Sequence, residues 1–221
     1  MLALSPTQLF TGDSIVEGAT VRIDGGRIVD VTPGVSADAM KLDGLLAPGF
    51  IDVQVNGGGG LLFNDSQTVD TLAKMAVAHR KFGVTGIMAT LISDERGKAA
   101  SAYRAVSEAI EAGVEGLLGL HLEGPWLSEP RRGVHPARFL RALDDADLKL
   151  LTQRRPFPLL VTVAPEQIDA ATIKMLTEAG VIVSLGHTAA PTDDVERAIA
   201  AGATGFTHLF NAMPPMEGRN P

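Results

Sequence analysis

One junction recurs along this chain and limits its fold more than any other feature: a segment of helical character ends in glycine, and an apolar run begins at the next residue. It occurs at Lys81-Phe82-Gly83-Val84, Glu111-Ala112-Gly113-Val114, Glu178-Ala179-Gly180-Val181 and Ala200-Ala201-Gly202-Ala203. Glycine suits that place because the residue after a helix commonly adopts a left-handed conformation. The long interval between Gly113 and Gly180 leaves room for a further unit through PLLVTVAP. Such a chain alternates strands with helices, the pattern of a crossover-connected parallel sheet.

The runs FIDVQVN, VTGIMATL, GLLGLHLE, LLVTVAP, VIVSLGH and GFTHLF are predicted strands, with helices around 67–82, 95–112, 166–179 and 192–201. These runs are apolar throughout and do not alternate, so the sheet is expected to be buried on both faces. The first residues differ. TVRIDGGRIVDVTP alternates apolar and polar residues around Asp24-Gly25-Gly26, which is hairpin chemistry. The expected organisation is a small β-sandwich portion over 1–47, followed over 48–221 by either a (β/α)8 barrel or an open doubly wound sheet.

Composition narrows the function. With 221 residues the chain can bury a substantial core, and its net charge of -7 disfavours nucleic acid or an anionic membrane as a partner. It has no cysteine, which excludes thiolate metal sites, disulfides and thiol catalysis. MLALSPTQLFTGDS lacks a basic n-region, and Asp43, Asp52 and Asp65 interrupt the best apolar stretch. A soluble, cytoplasmic protein is expected.

Three residues of metal-ligand type lie just past strand ends: Glu123 in LGLHLEGP, His187 in VIVSLGHT and His208 in GFTHLFNAMPP. Taken singly, a histidine at a strand end is more often a hydrogen-bonded structural residue. Together, one carboxylate and two imidazoles suit a catalytic Zn²⁺ or Fe²⁺ that keeps a position open for water. Groups gathered from the C-terminal ends of several strands favour the barrel over the open sheet. The expected fold is therefore a TIM-like (β/α)8 barrel of the metal-dependent hydrolase type, with about six βα units present.

The segments LAPGFIDVQVNGGGG, HLEGPWLSEPRRGVHP, SLGHT and THLFNAMPPMEGRNP carry a resemblance, in order and over nearly the whole chain, to the N-acetylglucosamine-6-phosphate deacetylases of the amidohydrolase superfamily. The resemblance implies that Glu123, His187 and His208 hold one divalent metal, zinc or else iron or another divalent ion, that activates the attacking water. It implies that His135, in GVHP, contacts and polarises the N-acetyl oxygen, that Asn211 and Ala212 bind sugar or phosphate partly through backbone atoms, and that Arg219 contacts the 6-phosphate. The substrate implied is an amino-sugar phosphate, converted to glucosamine 6-phosphate and acetate, and the full-length protein is expected to be a homodimer.

Many amidohydrolases place His-x-His at the end of the first strand to hold a second metal; here Gln54 and Asn56 occupy those positions. Neutral amides are poor zinc ligands, so a single metal is expected. The family's proton-transfer aspartate ends an eighth strand, and neither Asp52 nor Asp65 lies in that motif. Six parallel strands would leave two open edges. The chain is therefore read as a C-terminally truncated piece of a longer enzyme, itself inactive. Two alternatives stay open: another N-acyl amidohydrolase, and a non-catalytic fragment that binds metal and sugar phosphate.

Four features have bland readings beside the functional ones. Gly57 to Gly60 form either a flexible loop or a place where a ligand approaches the backbone, and Arg131 and Arg132 either a solvated pair or a source of positive field for a phosphate. His79 reads as structural and Trp126 as packing beneath its loop.

Overall fold

Each helix begins or ends where its sequence supplies the missing hydrogen bonds. The computed structural model describes residues 1–216 and 218. Two compact units divide between Phe50 and Ile51.

The first unit contains β1 (Leu2–Phe10), β2 (Ile15–Glu17), β3 (Ala19–Asp24), β4 (Arg27–Pro33) and β5 (Met40–Leu46). They form one mixed sheet in the order β2-β1-β3-β4, with β5 parallel to β1. The predicted hairpin is present: Asp24 pairs with Arg27, and Gly25 and Gly26 take φ of 53° and 76°. Positive φ at both central positions matches the right-handed twist of the flanking strands. Leu9, Ala19 and Val21 make a small core of their own.

From Ile51 onward the chain repeats strand and helix. The strands are β6 (Phe50–Val55), β9 (Val84–Ile92), β10 (Leu117–Glu123), β11 (Leu159–Val163), β12 (Val181–Leu185) and β13 (Gly205–Phe206). The short pair β7 (Gly57–Gly58) and β8 (Leu61–Leu62) follows β6. The helices are α1 (Val69–Arg80), α2 (Arg96–Glu111), α3 (Asp145–Thr152), α4 (Ala170–Glu178) and α5 (Thr192–Ala200). The sheet order β13-β12-β11-β10-β9-β6 follows the chain, and a helix lies in every crossover. This is the winding of a (β/α) barrel over six strands; a doubly wound sheet would reverse its strand order.

All four junction glycines adopt positive φ: 84° at Gly83, 71° at Gly113, 75° at Gly180 and 114° at Gly202. At the other ends, Thr68 caps α1 and Asp169 caps α4 by accepting backbone N–H groups, each worth about 1 kcal/mol. The sequence reading did not assign α3. Its eight residues are too short for a clear period, and it is held by a reciprocal capping box between Asp144 and Asp147. Leu72, Met75, Leu120, Leu159, Ile173, Leu176 and Leu185 are fully buried between helices and sheet. Among the described residues, no helix is long and apolar enough to cross a membrane.

Candidate metal centre

Glu123 is the last residue of β10, while His187 and His208 lie one turn beyond β12 and β13. Both histidines are held at positive φ, 49° and 34°, a region that costs a non-glycine residue on the order of 1 kcal/mol or more. These backbone turns point the two imidazoles back over the sheet. Glu123 Oε1 is 3.1 Å from His187 Nε2 and 3.4 Å from His208 Nε2, and the two Nε2 atoms are 2.9 Å apart. A tetrahedral zinc with bonds near 2.0–2.1 Å has ligand atoms roughly 3.3 Å apart, so the three edges fit one face of such a set.

The hydrogen bonds on the far side of each ring fix which nitrogen is free. His187 Nδ1–H donates to the Arg131 carbonyl at 2.8 Å, and His208 Nδ1–H donates to the Asn211 carbonyl at 3.3 Å. In the neutral rings both Nε2 lone pairs therefore face the carboxylate, an arrangement of three acceptors that calls for a cation. A backbone carbonyl behind a ligating histidine is the usual support of a metal site. Glu123 Oε1 is held from outside by Gln54 Nε2–H at 2.8 Å. Gln54 thus serves the carboxylate as a donor in the place where other amidohydrolases are expected to carry a ligand.

His135 faces the same cluster with the opposite polarity. The Ser93 N–H donates to His135 Nδ1 at 3.3 Å, so Nδ1 accepts, and the Ser93 hydroxyl lies 2.8 Å from the same nitrogen and 3.5 Å from the Glu123 carbonyl. Nε2 then carries the hydrogen, 3.9 Å from Glu123 Oε2. By distance alone, Glu123, His135 and His187 form a possible metal-binding group, with ligand atoms within 4.8 Å of one another. In this tautomer His135 presents an N–H, and His208 a lone pair, toward the carboxylate.

Burial sets the protonation states. Glu123, His135 and His187 are 3%, 1% and 4% exposed. Burial holds His135 down to about 4, aided by the neighbouring histidines and opposed by Glu123. For His187 burial acts downward too, but the hydrogen bond to Glu123 and the Arg131 carbonyl outweigh it and raise the pKa. Burial acts upward on Glu123 and is outweighed by the His187 hydrogen bond and the surrounding imidazoles, so this carboxyl is lowered.

The other expected residues fall around this centre. The Asn211 carbonyl accepts from His208, and the Ala212 carbonyl accepts from Thr188 N at 3.1 Å. Arg219 lies outside the described residues. Arg131 contributes its carbonyl to His187, and Arg132 Nη1 donates to the His135 carbonyl at 2.9 Å, so both arginines buttress the site. Gly57 and Gly58 form the strand β7, turned back onto β8 through Gly59 and Gly60, and His79 Nε2–H donates to the Gly57 carbonyl at 2.8 Å. A Cβ on Gly58 would meet that ring at 2.9 Å, so packing against the chain itself requires glycine there. Trp126 is buried, with Nε1 donating to Asp147. Two supporting residues escaped the sequence reading: Ser93, and His121, which burial lowers to about 4 against the charge of Glu123. The signal for His121 was present, because it and Glu123 alternate onto one face of an otherwise apolar strand.

No protein-family model matches the chain. Among curated proteins, an N-acetylgalactosamine-6-phosphate deacetylase of Shewanella sp. (strain ANA-3) is 40% identical over 100% of this chain and 58% of its own length. The N-acetylglucosamine-6-phosphate deacetylase of Rattus norvegicus is 37% identical over 99% of the chain and 58% of its own length. Among solved structures, the N-acetylglucosamine-6-phosphate deacetylase of Pasteurella multocida superposes with a TM-score of 0.92 at 34% identity, covering 99% of this chain and 59% of that one. The Mycobacterium smegmatis enzyme gives 0.91 at 34%, covering 100% and 64%. The cluster of one carboxylate and imidazoles is an amidohydrolase-type site for a divalent metal. By sequence and by fold, the chain is a homologue of the N-acetylglucosamine-6-phosphate deacetylases, amidohydrolases of whose curated members it spans about 58%.

Proposed function

We propose that the chain carries the metal-binding half of a deacetylase acting on N-acetyl-D-glucosamine 6-phosphate, with Glu123, His187 and His208 as ligands of one zinc ion. The observation that carries this reading is the triangle of ligand atoms with edges of 2.9, 3.1 and 3.4 Å, closed by rings whose other nitrogens are already bonded. A bound divalent ion supplies Lewis acidity, activating water and stabilising negative charge on oxygen. His135 Nε2–H donates to the acetamide oxygen as charge develops there; one such donor is worth on the order of 10²- to 10³-fold in rate. Ser93 holds that ring in the donating tautomer, and Gln54 holds the carboxylate. Asn211 orients the sugar phosphate through its side chain and Ala212 through its N–H, with Arg219 on the 6-phosphate.

The leaving amine needs a proton. Among the described residues, Glu123 is the one carboxylate paired with the site's imidazoles, and it is committed as a ligand. We infer that the group returning the proton is not among them and that residues 1–221 alone bind without turnover. A second reading, N-acetylgalactosamine 6-phosphate as substrate, is favoured by the name of the Shewanella relative.

The test is calorimetric binding to the zinc-loaded chain. N-acetylglucosamine 6-phosphate should bind at least tenfold tighter than the unphosphorylated sugar. An analogue with a tetrahedral phosphonamidate in place of the acetamide should bind at least about 10²-fold tighter still. Equal binding of the unphosphorylated sugar contradicts the phosphate assignment, and equal binding of the analogue and substrate contradicts a hydrolytic site. Preference for the galacto epimer selects the second reading, and acetate release by the 221-residue chain refutes its inactivity.

A further inference from the structure

A chain of buried polar groups runs from β6 through β9, β10, β11 and β12 to Thr207, just past β13. His121 Nδ1 lies 3.1 Å from the Val53 carbonyl in β6 and 3.3 Å from Thr90 Oγ1 in β9, and Thr90 Oγ1 accepts from Val55 N at 2.9 Å. His121 Nε2 lies 2.7 Å from Thr162 Oγ1 in β11. Thr162 Oγ1 is 2.7 Å from Thr207 Oγ1, just past β13, and Thr207 Oγ1 is 2.8 Å from Ser184 Oγ in β12. His121, Thr90, Thr162, Ser184 and Thr207 are all buried.

The ends of this chain set its direction. A carbonyl can only accept, so His121 Nδ1–H donates to Val53 and the neutral ring accepts at Nε2. Thr162 then donates to His121, Thr207 to Thr162, and Ser184 to Thr207, each hydroxyl spending its single hydrogen. No member is left unpaired, the condition under which a buried polar network specifies one arrangement. Four of its elements lie within three residues of the site in sequence. His121 shares a strand face with Glu123, Val53 precedes Gln54, Thr207 precedes His208, and Ser184 precedes the Gly186-His187 turn.

We propose that His121 is the positioning residue of the metal centre. It bridges β6 and β9 on one side to β11 on the other, and so fixes the height of Glu123 relative to His187 and His208. It touches neither metal nor substrate and acts through the register of the strands. This inference rests on the metal-centre reading above and adds the element that sets its geometry.

The test uses the metal-free 221-residue protein titrated with Co²⁺, followed by the visible ligand-field spectrum and by Zn²⁺ competition. His121→Phe deletes both hydrogen bonds, and Thr162→Val deletes the hydroxyl with almost no change of shape. His121→Gln keeps a polar atom facing Thr162, and Thr71→Val changes a buried threonine of α1 outside the layer. The proposal expects His121→Phe and Thr162→Val to weaken Co²⁺ at least about tenfold and to shift its spectrum. His121→Gln should recover part of the loss, and Thr71→Val should change neither readout. If His121→Phe does not fold, Thr162→Val decides. Unaltered affinity and spectrum in folded Thr162→Val overturn the positioning role while leaving the metal centre standing. Failure of the unsubstituted protein to bind Co²⁺ overturns both.

Discussion

At the scale of single residues, what separates the site's histidines is which nitrogen each has already spent. His187 and His208 give Nδ1–H to carbonyls and offer lone pairs at Nε2, whereas His135 accepts at Nδ1 from Ser93 and offers Nε2–H. His135→Asn keeps an acceptor near Ser93 and deletes the Nε2 donor. It should weaken binding of the tetrahedral analogue about 10²-fold while leaving Co²⁺ affinity within about twofold. Calorimetry with each ligand checks this, and a large loss of Co²⁺ affinity would make His135 a ligand. The sequence carried the residue types of this site but not their polarity. Gln54 read there as a missing ligand and proved to be a donor to Glu123, because an amide's role depends on what faces it.

At the scale of elements, the loop between β10 and α3 that carries His135 is anchored by one buried carboxylate. Asp147 accepts two hydrogen bonds from Arg141, one from Trp126 Nε1 at 3.2 Å and one from the Asp144 N–H at 3.3 Å. Arg96 pairs with it at 3.5 Å from the start of α2. Asp147→Ala leaves a partly buried arginine and an indole N–H without their acceptor, and should cost roughly 3 kcal/mol in urea unfolding. A loss below about 1 kcal/mol would show that the loop is held elsewhere. The βα repeats were legible because glycine stands beyond four of the helix ends and the strand runs are unbroken. Helix α3 was not, since its stability comes from capping and from this anchor. The polar layer was not legible either: Thr90, His121, Thr162 and Ser184 each read as one polar residue inside an apolar run, and only the register of neighbouring strands brings them together.

For the molecule as a whole, burying neutral histidines couples folding to pH. His121 and His135 keep folded pKa values of about 4 against an ordinary 6.5. Between those values the unfolded chain binds the proton and the folded one does not, so stability rises with pH across the window and is lost as pH falls from 6.5 towards 4. Each group contributes up to roughly 3 kcal/mol, partly offset by His187, whose raised pKa acts in the opposite sense. The melting temperature of metal-free protein should fall steadily from pH 7 to pH 4.5, with a shallower fall in His121→Gln; a flat profile would contradict burial of neutral imidazoles. Protons compete with a metal for the Glu123 carboxylate and the imidazole lone pairs, so affinity should weaken in acid.

The ligand set is the claim from which the rest follows, and two triads compete for it by distance. Zn²⁺ affinity should be measured for the 221-residue protein and for His208→Ala and His135→Ala, with bound zinc counted by elemental analysis. The unsubstituted protein should hold one ion, His208→Ala should lose at least 10²-fold in affinity, and His135→Ala should retain the ion with little change. Loss of the ion in His135→Ala with retention in His208→Ala would contradict the account and assign the metal to Glu123, His135 and His187.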